Sequence, residues 1–97
     1  MATEVEMALL QQAEIDERLA SMPGWQREGE AIVKTFELDD FVGSVSFVNA
    51  LVVPAEEMSH HPDVEISWNR VRVSISTHSE GGLTAGDFEL AGRIDAL

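Results

Sequence analysis

Cysteine is absent from this 97-residue chain. That excludes a disulfide framework, a thiolate metal site and a cysteine nucleophile. Positive charge is scarce: six Lys and Arg face 18 Asp and Glu, for a formal charge of −12. Such a balance opposes binding to nucleic acid, whose affinity is built on neutralised phosphates, and opposes docking on an anionic membrane. Its ordinary use is solubility. A substrate should be neutral or only locally charged, or else approach one of the few bases such as Arg70 and Arg72. Long apolar runs are missing as well. No segment approaches the roughly 20 apolar residues that span a bilayer. The first ten residues carry acid where a signal peptide carries base. A cytoplasmic protein is expected, with neither nucleic acid nor membrane as partner. Internal repeats and low-complexity segments are also lacking. Histidine is rare, and its placing is informative: His60, His61 and His78 are all three of the chain, and all lie within residues 56–87.

The length predicts one domain. Residues 1–10 show no companion pattern and read as a loosely ordered tail ahead of a domain over 11–97. Over 11–21, Ile15, Leu19 and Met22, with Ala13 and Ala20, recur at helical spacing, and Pro23-Gly24 ends that helix. Two short runs around Gly29-Glu30 then read as a hairpin, the second carrying Ile32, Phe36 and Leu38 on one face. Lys34 falls on that same face and spoils its apolar character. Asp39-Asp40 supplies an N-cap and negative charge for a helix start. Phe41, Val45, Val48, Leu51, Val52 and Ala55 follow as its expected inner face, widened by Phe47 and Ala50. Pro54 predicts a kink, or an end near Val53 with a restart carrying Glu56 and Glu57. Pro62 closes the element and drives His61 into an extended conformation.

Val64, Ile66 and Trp68 alternate with polar residues, as do Val71, Val73 and Ile75, with Asn69 at the turn between them. Trp68 is expected in the core. Thr84 and Asp87 have the spacing of a capping box ahead of Phe88, Ala91, Ile94 and Leu97, the inner face of a last helix. The order is α-β-β-α-β-β-α. It predicts an α+β fold: a four-stranded antiparallel sheet with helices covering one face.

Histidine is the side chain whose ordinary pKa lies nearest neutrality, so residues 56–87 suit proton transfer in both directions. The adjacent His60 and His61 make a poor metal signature, because neighbouring side chains diverge in a strand or a helix. A site joining one of them to His78 and Glu56 stays open. Ser59, Ser76 and Ser79 lie near histidines, but nothing resembles a nucleophile elbow.

One spaced pattern carries more. Glu56-x-x-x-His60-His61-Pro62 is followed after five residues by Trp68, after nine by His78 and after eight by Asp87. It closely resembles the pterin-4a-carbinolamine dehydratases. The likeness spans roughly residues 15–95 and includes Pro23-Gly24-Trp25, Ala31-Ile32-x-Lys34-x-Phe36, Asp40-Phe41 and Ser76-Thr77-His78.

The resemblance implies dehydration of 4a-hydroxytetrahydropterin to quinonoid dihydropterin, serving pterin recycling, with the pterin as substrate and no metal or organic cofactor. It implies His60 and His78 as the proton-transfer pair, with Glu56 orienting a histidine and favouring its charged form. His61, Pro62, Thr77, Ser79 and Glu80 would bind or line the pterin. Asp87 and Trp68 would support the site, although Asp87 also reads simply as the capping partner of Thr84, and Pro62 and Trp68 as structural. Three departures stand out, one of them Pro54 in the helix leading to the site. Ser59 occupies a position that is acidic in animal relatives, and Val64 one that is aromatic. The family also implies a homodimer or homotetramer. Two other roles stay open: a non-catalytic dimerisation or binding module, as animal relatives serve for a homeodomain transcription factor, and a related pterin role such as molybdopterin metabolism.

Overall fold

The structure is a computed structural model and describes residues 8–97. Most of the span assigned to the tail, residues 1–7, lies outside the described residues. Its last part is tied down: Leu9 bridges Thr84, and the Leu10 N–H donates to the Leu83 carbonyl at 2.9 Å.

Helix α1, Gln12–Ala20, buries Ile15 and carries Leu19 against the core. The chain then turns through Pro23-Gly24, where Gly24 holds φ 91°. A Cβ there would lie 2.8 Å from Lys34 Cε, so both the backbone angle and the close approach call for glycine. Strands β1, Gln26–Glu28, and β2, Ala31–Glu37, form the first hairpin. Strands β3, Asp63–Ser67, and β4, Arg70–Ile75, form the second. The hairpins join through β2 and β4, which run antiparallel with Ile32 opposite Ile75 and Phe36 opposite Val71. The sheet order is β1-β2-β4-β3. This is the predicted α+β arrangement in the predicted element order.

Val71, Val73, Ile75 and Ile32 are fully buried, as their alternation requires. Against them lie Leu51 of α2, Phe41–Met58, and Phe88, Leu90, Ala91 and Ile94 of α3, Ala85–Asp95. Lys34 does sit on the inner face, and its ammonium is satisfied there. It pairs with Asp95 at 2.8 Å and lies 4.9 Å from the centre of the Phe36 ring.

Three expectations are corrected. First, α2 is one helix through Pro54 and neither stops nor restarts near Val53. Second, its inner face matches the predicted one only in part: Leu51 and Ala55 are buried and Phe47 and Val48 pack against the core, but the face is rotated. Ser44, Leu51, Pro54 and Ala55 are buried, whereas Phe41, Val45 and Val52 are exposed. At 100° per residue, the buried arc lies about 60° from the predicted one. A helix apolar on nearly every side gives periodicity nothing to choose by. A polar contact decides it: Ser44 Oγ donates to the Trp68 carbonyl at 2.6 Å. Third, Trp68 is not in the core. It stands in the β3–β4 turn at φ 51° and is 67% exposed.

Candidate active site

The site is assembled where α2 ends, β3 begins, β4 ends and α3 starts. The end of α2 sets its first component. Ser59 takes a left-handed conformation, φ 51° and ψ 41°. The Ser59 N–H then donates to the Glu56 carbonyl at 3.2 Å, and the His60 N–H to the Ala55 carbonyl at 3.0 Å. These two bonds are those of a Schellman turn. The reversal carries His60 back into the molecule, where its side chain is only 10% exposed. His61, one residue on, points outward with its side chain 63% exposed.

His60 meets Asp87. Nε2 of the imidazole lies 2.7 Å from Asp87 Oδ1, and the Asp87 side chain is fully buried. Asp87 comes from the first turn of α3, and the capping box read from the sequence is present. The Thr84 N–H donates to Asp87 Oδ2 at 2.8 Å, and the Thr84 side chain accepts from the Asp87 backbone. The carboxylate does more than cap, because Thr77 Oγ1 also donates to Oδ2, at 2.9 Å. Capping and pairing with a histidine use different oxygens of one carboxylate.

Glu56, expected to orient a histidine, reaches His61: Oε2 lies 2.6 Å from His61 Nε2, both groups being exposed. Thr77, expected to line the site, is 2% exposed, and its hydroxyl is turned to Asp87 and Thr84. Its backbone is used internally. The Thr77 N–H donates to the Gly82 carbonyl, and the Thr77 carbonyl accepts from Glu80 and Gly81. That loop closes on a single 3₁₀ turn, His78–Glu80, followed by Gly81 at φ 73°.

The turn presents His78, Ser79 and Glu80 at the surface. His78 Nε2 is 3.5 Å from Ser76 Oγ, too long to fix the ring. Pro62 is half-buried at the start of the run into β3. Trp68, at the far end of that strand, has no place beside His60. Among the described residues, no three His, Asp or Glu side chains converge to hold a metal ion.

The structure therefore gathers His60, Asp87, Thr77 and Thr84 into one buried hydrogen-bonded set, with His61–Glu56 and His78 exposed beside its two chain entries. The sequence displayed the Thr84–Asp87 spacing. That Thr77 shares the same carboxylate is a tertiary fact, hinted at only by a small hydroxyl residue directly before His78.

Comparison with known proteins gives the following. The family model described as pterin 4 alpha carbinolamine dehydratase matches residues 8–97. A relative from Thermosynechococcus vestitus is 50% identical over 88 residues, which cover 91% of this chain and 93% of that one. One from Roseiflexus castenholzii is 49% identical over 90 residues, covering 93% and 97%. Both bear the dehydratase's name provisionally. Among solved structures, a transcriptional coactivator/pterin dehydratase from Brucella melitensis superposes with a TM-score of 0.86 at 36% identity, covering 91% of this chain and 96% of its own. A pterin dehydratase-like RuBisCO assembly factor of the alpha-carboxysome gives a TM-score of 0.60 at 22% identity over 74% and 83%, a likeness of fold alone.

Proposed function

The chain belongs to the pterin 4 alpha carbinolamine dehydratase family, and on that premise we propose that it dehydrates a 4a-hydroxytetrahydropterin by histidine acid/base catalysis. In this reaction the C4a–O bond breaks as the hydroxyl takes up a proton and leaves as water. The N5 lone pair forms the C4a=N5 bond, and the N5 proton passes to a base. The product is the quinonoid dihydropterin, which a reductase can return to the tetrahydro form. Proton donors and acceptors suffice for these steps, and no metal or organic cofactor is invoked.

The observation that carries the reading is the His60–Asp87 pair at 2.7 Å inside the matching motif. A carboxylate on one imidazole nitrogen fixes the ring's orientation and tautomer, leaving the other nitrogen for the substrate. His78, exposed and loosely held, is the second proton carrier. His61, backed by Glu56, contacts the pterin ring together with Pro62, Ser79 and Glu80. Each well-placed histidine contributes about 10²–10⁴-fold.

The test is stopped-flow decay of carbinolamine absorbance with catalytic amounts of protein. The wild type should accelerate the decay. His60→Ala and His78→Ala should each lose about 10²-fold or more. Full activity in the double variant would remove both from the mechanism. No acceleration by a folded wild type would remove the dehydratase reading and leave a binding module.

A second part of the proposal is that the chain assembles as a homodimer or homotetramer. It is supported by the open face of α2, where Phe41, Val42, Val45, Val52 and Val53 are exposed.

A further inference from the structure

The geometry points to Thr77 as a positioning residue: its hydroxyl orients Asp87 so that His60 keeps its proton on Nε2 and offers Nδ1 to the substrate. The kinetic part of this inference rests on the dehydratase reading; the structural part does not.

The hydrogen bonds have a fixed direction. A carboxylate only accepts, so the single proton of Thr77 points to Asp87 Oδ2, 2.9 Å away. Thr77 Oγ1 is also 2.8 Å from Thr84 Oγ1. With its own proton committed to Asp87, Thr77 can only accept at that contact. The Thr84 oxygen in turn accepts from the Gly86 N–H at 3.2 Å. Oδ2 thus holds two donors, Thr77 and the Thr84 backbone, and the carboxylate cannot turn without losing both. Oδ1 is left facing His60 Nε2, which must carry hydrogen to bond it. Nδ1 makes no hydrogen bond among the described residues. No buried side-chain nitrogen or oxygen among the described residues lacks a partner, so Nδ1 reaches the molecular surface. The alternative role for Thr77 is to stabilise the loop before α3 without influence on the imidazole. The two roles differ in what they predict for the tautomer.

The experiment is a two-bond ¹H–¹⁵N correlation spectrum of the histidine rings, recorded at a pH where His60 is neutral, together with steady-state dehydration kinetics. Wild type should show His60 as one tautomer, Nε2–H. Thr77→Val keeps the shape and removes the hydroxyl. It should show a mixture of tautomers and a kcat lower by roughly 10–100-fold, as for a lost hydrogen bond to a charged group, with KM within about twofold. Thr77→Ser should restore both. Asp87→Asn gives an independent arm that remains should Thr77→Val not fold. Two donors on the Oδ2 side hold the amide oxygen there and turn the NH₂ toward Nε2. The His60 tautomer should then invert to Nδ1–H, with a loss of up to about 10⁴-fold in kcat.

A folded Thr77→Val that keeps pure Nε2–H and full kcat overturns the inference. So does Asp87→Asn with an uninverted tautomer. A wild type with the expected tautomer but no dehydratase activity supports the positioning geometry and discards the catalytic reading.

Discussion

Ser59 is a small residue in a costly place. Its left-handed backbone brings Cβ close to the following carbonyl, a cost of roughly 1 kcal/mol for an L-residue that glycine escapes. The Schellman turn it makes is also what directs His60 inward. Ser59→Gly should therefore stabilise the chain by up to about 1 kcal/mol, raising Tm by several degrees for a domain of this size. Ser59→Val should lower it by at least as much, since a β-branched residue fits this region worst. Thermal unfolding of the two variants measures both, and equal Tm values would show that the turn is unstrained. At this scale the sequence was half legible. Glu56, His60, His61, His78 and Asp87 stood out by spacing, but their pairing did not, because pairing is decided by which residue the αL turn sends inward. Glu56 meets His61, and Asp87 meets His60. Trp68 was misplaced for a related reason. In a Trp-Asn turn the asparagine is the expected left-handed residue, but here Trp68 takes the positive φ and the Asn69 side chain donates to the Leu38 carbonyl at 3.3 Å.

Among the elements, α3 is fastened at both ends. Its N-terminus is held by the Thr84–Asp87 box and its last turn by Asp95. One oxygen of Asp95 accepts from Trp25 Nε1 at 2.9 Å and the other pairs with Lys34 at 2.8 Å. Trp25 is buried, so loss of Asp95 strands an indole donor as well as a partly buried ammonium. Asp95→Ala should cost about 1–3 kcal/mol in urea unfolding. Glu89→Ala, which breaks only the exposed i,i+4 pair with Arg93, should cost less than about 0.5 kcal/mol. Similar losses from both would mean that Asp95 acts through surface charge alone. This arrangement also answers the misfit of Lys34 in the strand pattern: parity put a base on the inner face, and only the tertiary fold supplies its acid, 61 positions later. The elements themselves were nearly all legible, because alternation in β2 and β4 and the caps of α2 and α3 act locally. The rotation of α2 was not, since its partner surface is set by the Ser44–Trp68 bond between distant elements.

Taken whole, the molecule sets an apolar surface against a strong negative charge. Phe41, Val42, Val45, Val52 and Val53 are all exposed on α2. At 100° per residue they occupy one arc of about 120°, opposite the arc that packs on the sheet. An apolar stripe of that width, interrupted by Asn49 near its centre and bordered by Glu56 at its end, is what a helix presents to a core or a partner. Self-association through it would bring together protomers of charge −12 each. The apolar term favours contact, while the mutual repulsion of the protomers opposes it and is screened by salt. The Debye length falls from about 30 Å at 0.01 M to about 8 Å at 0.15 M. Assembly should therefore tighten as salt rises over that range, the reverse of an interface built on opposite charges. Sedimentation equilibrium at micromolar protein measures it directly. Val42→Glu with Val53→Glu should shift the mass toward the monomer and leave the circular dichroism spectrum unchanged, because neither side chain packs inside the protomer. A wild type of monomer mass at every salt concentration would rule out assembly, and a complex that weakens with salt would place the contact on the charged surface instead of α2.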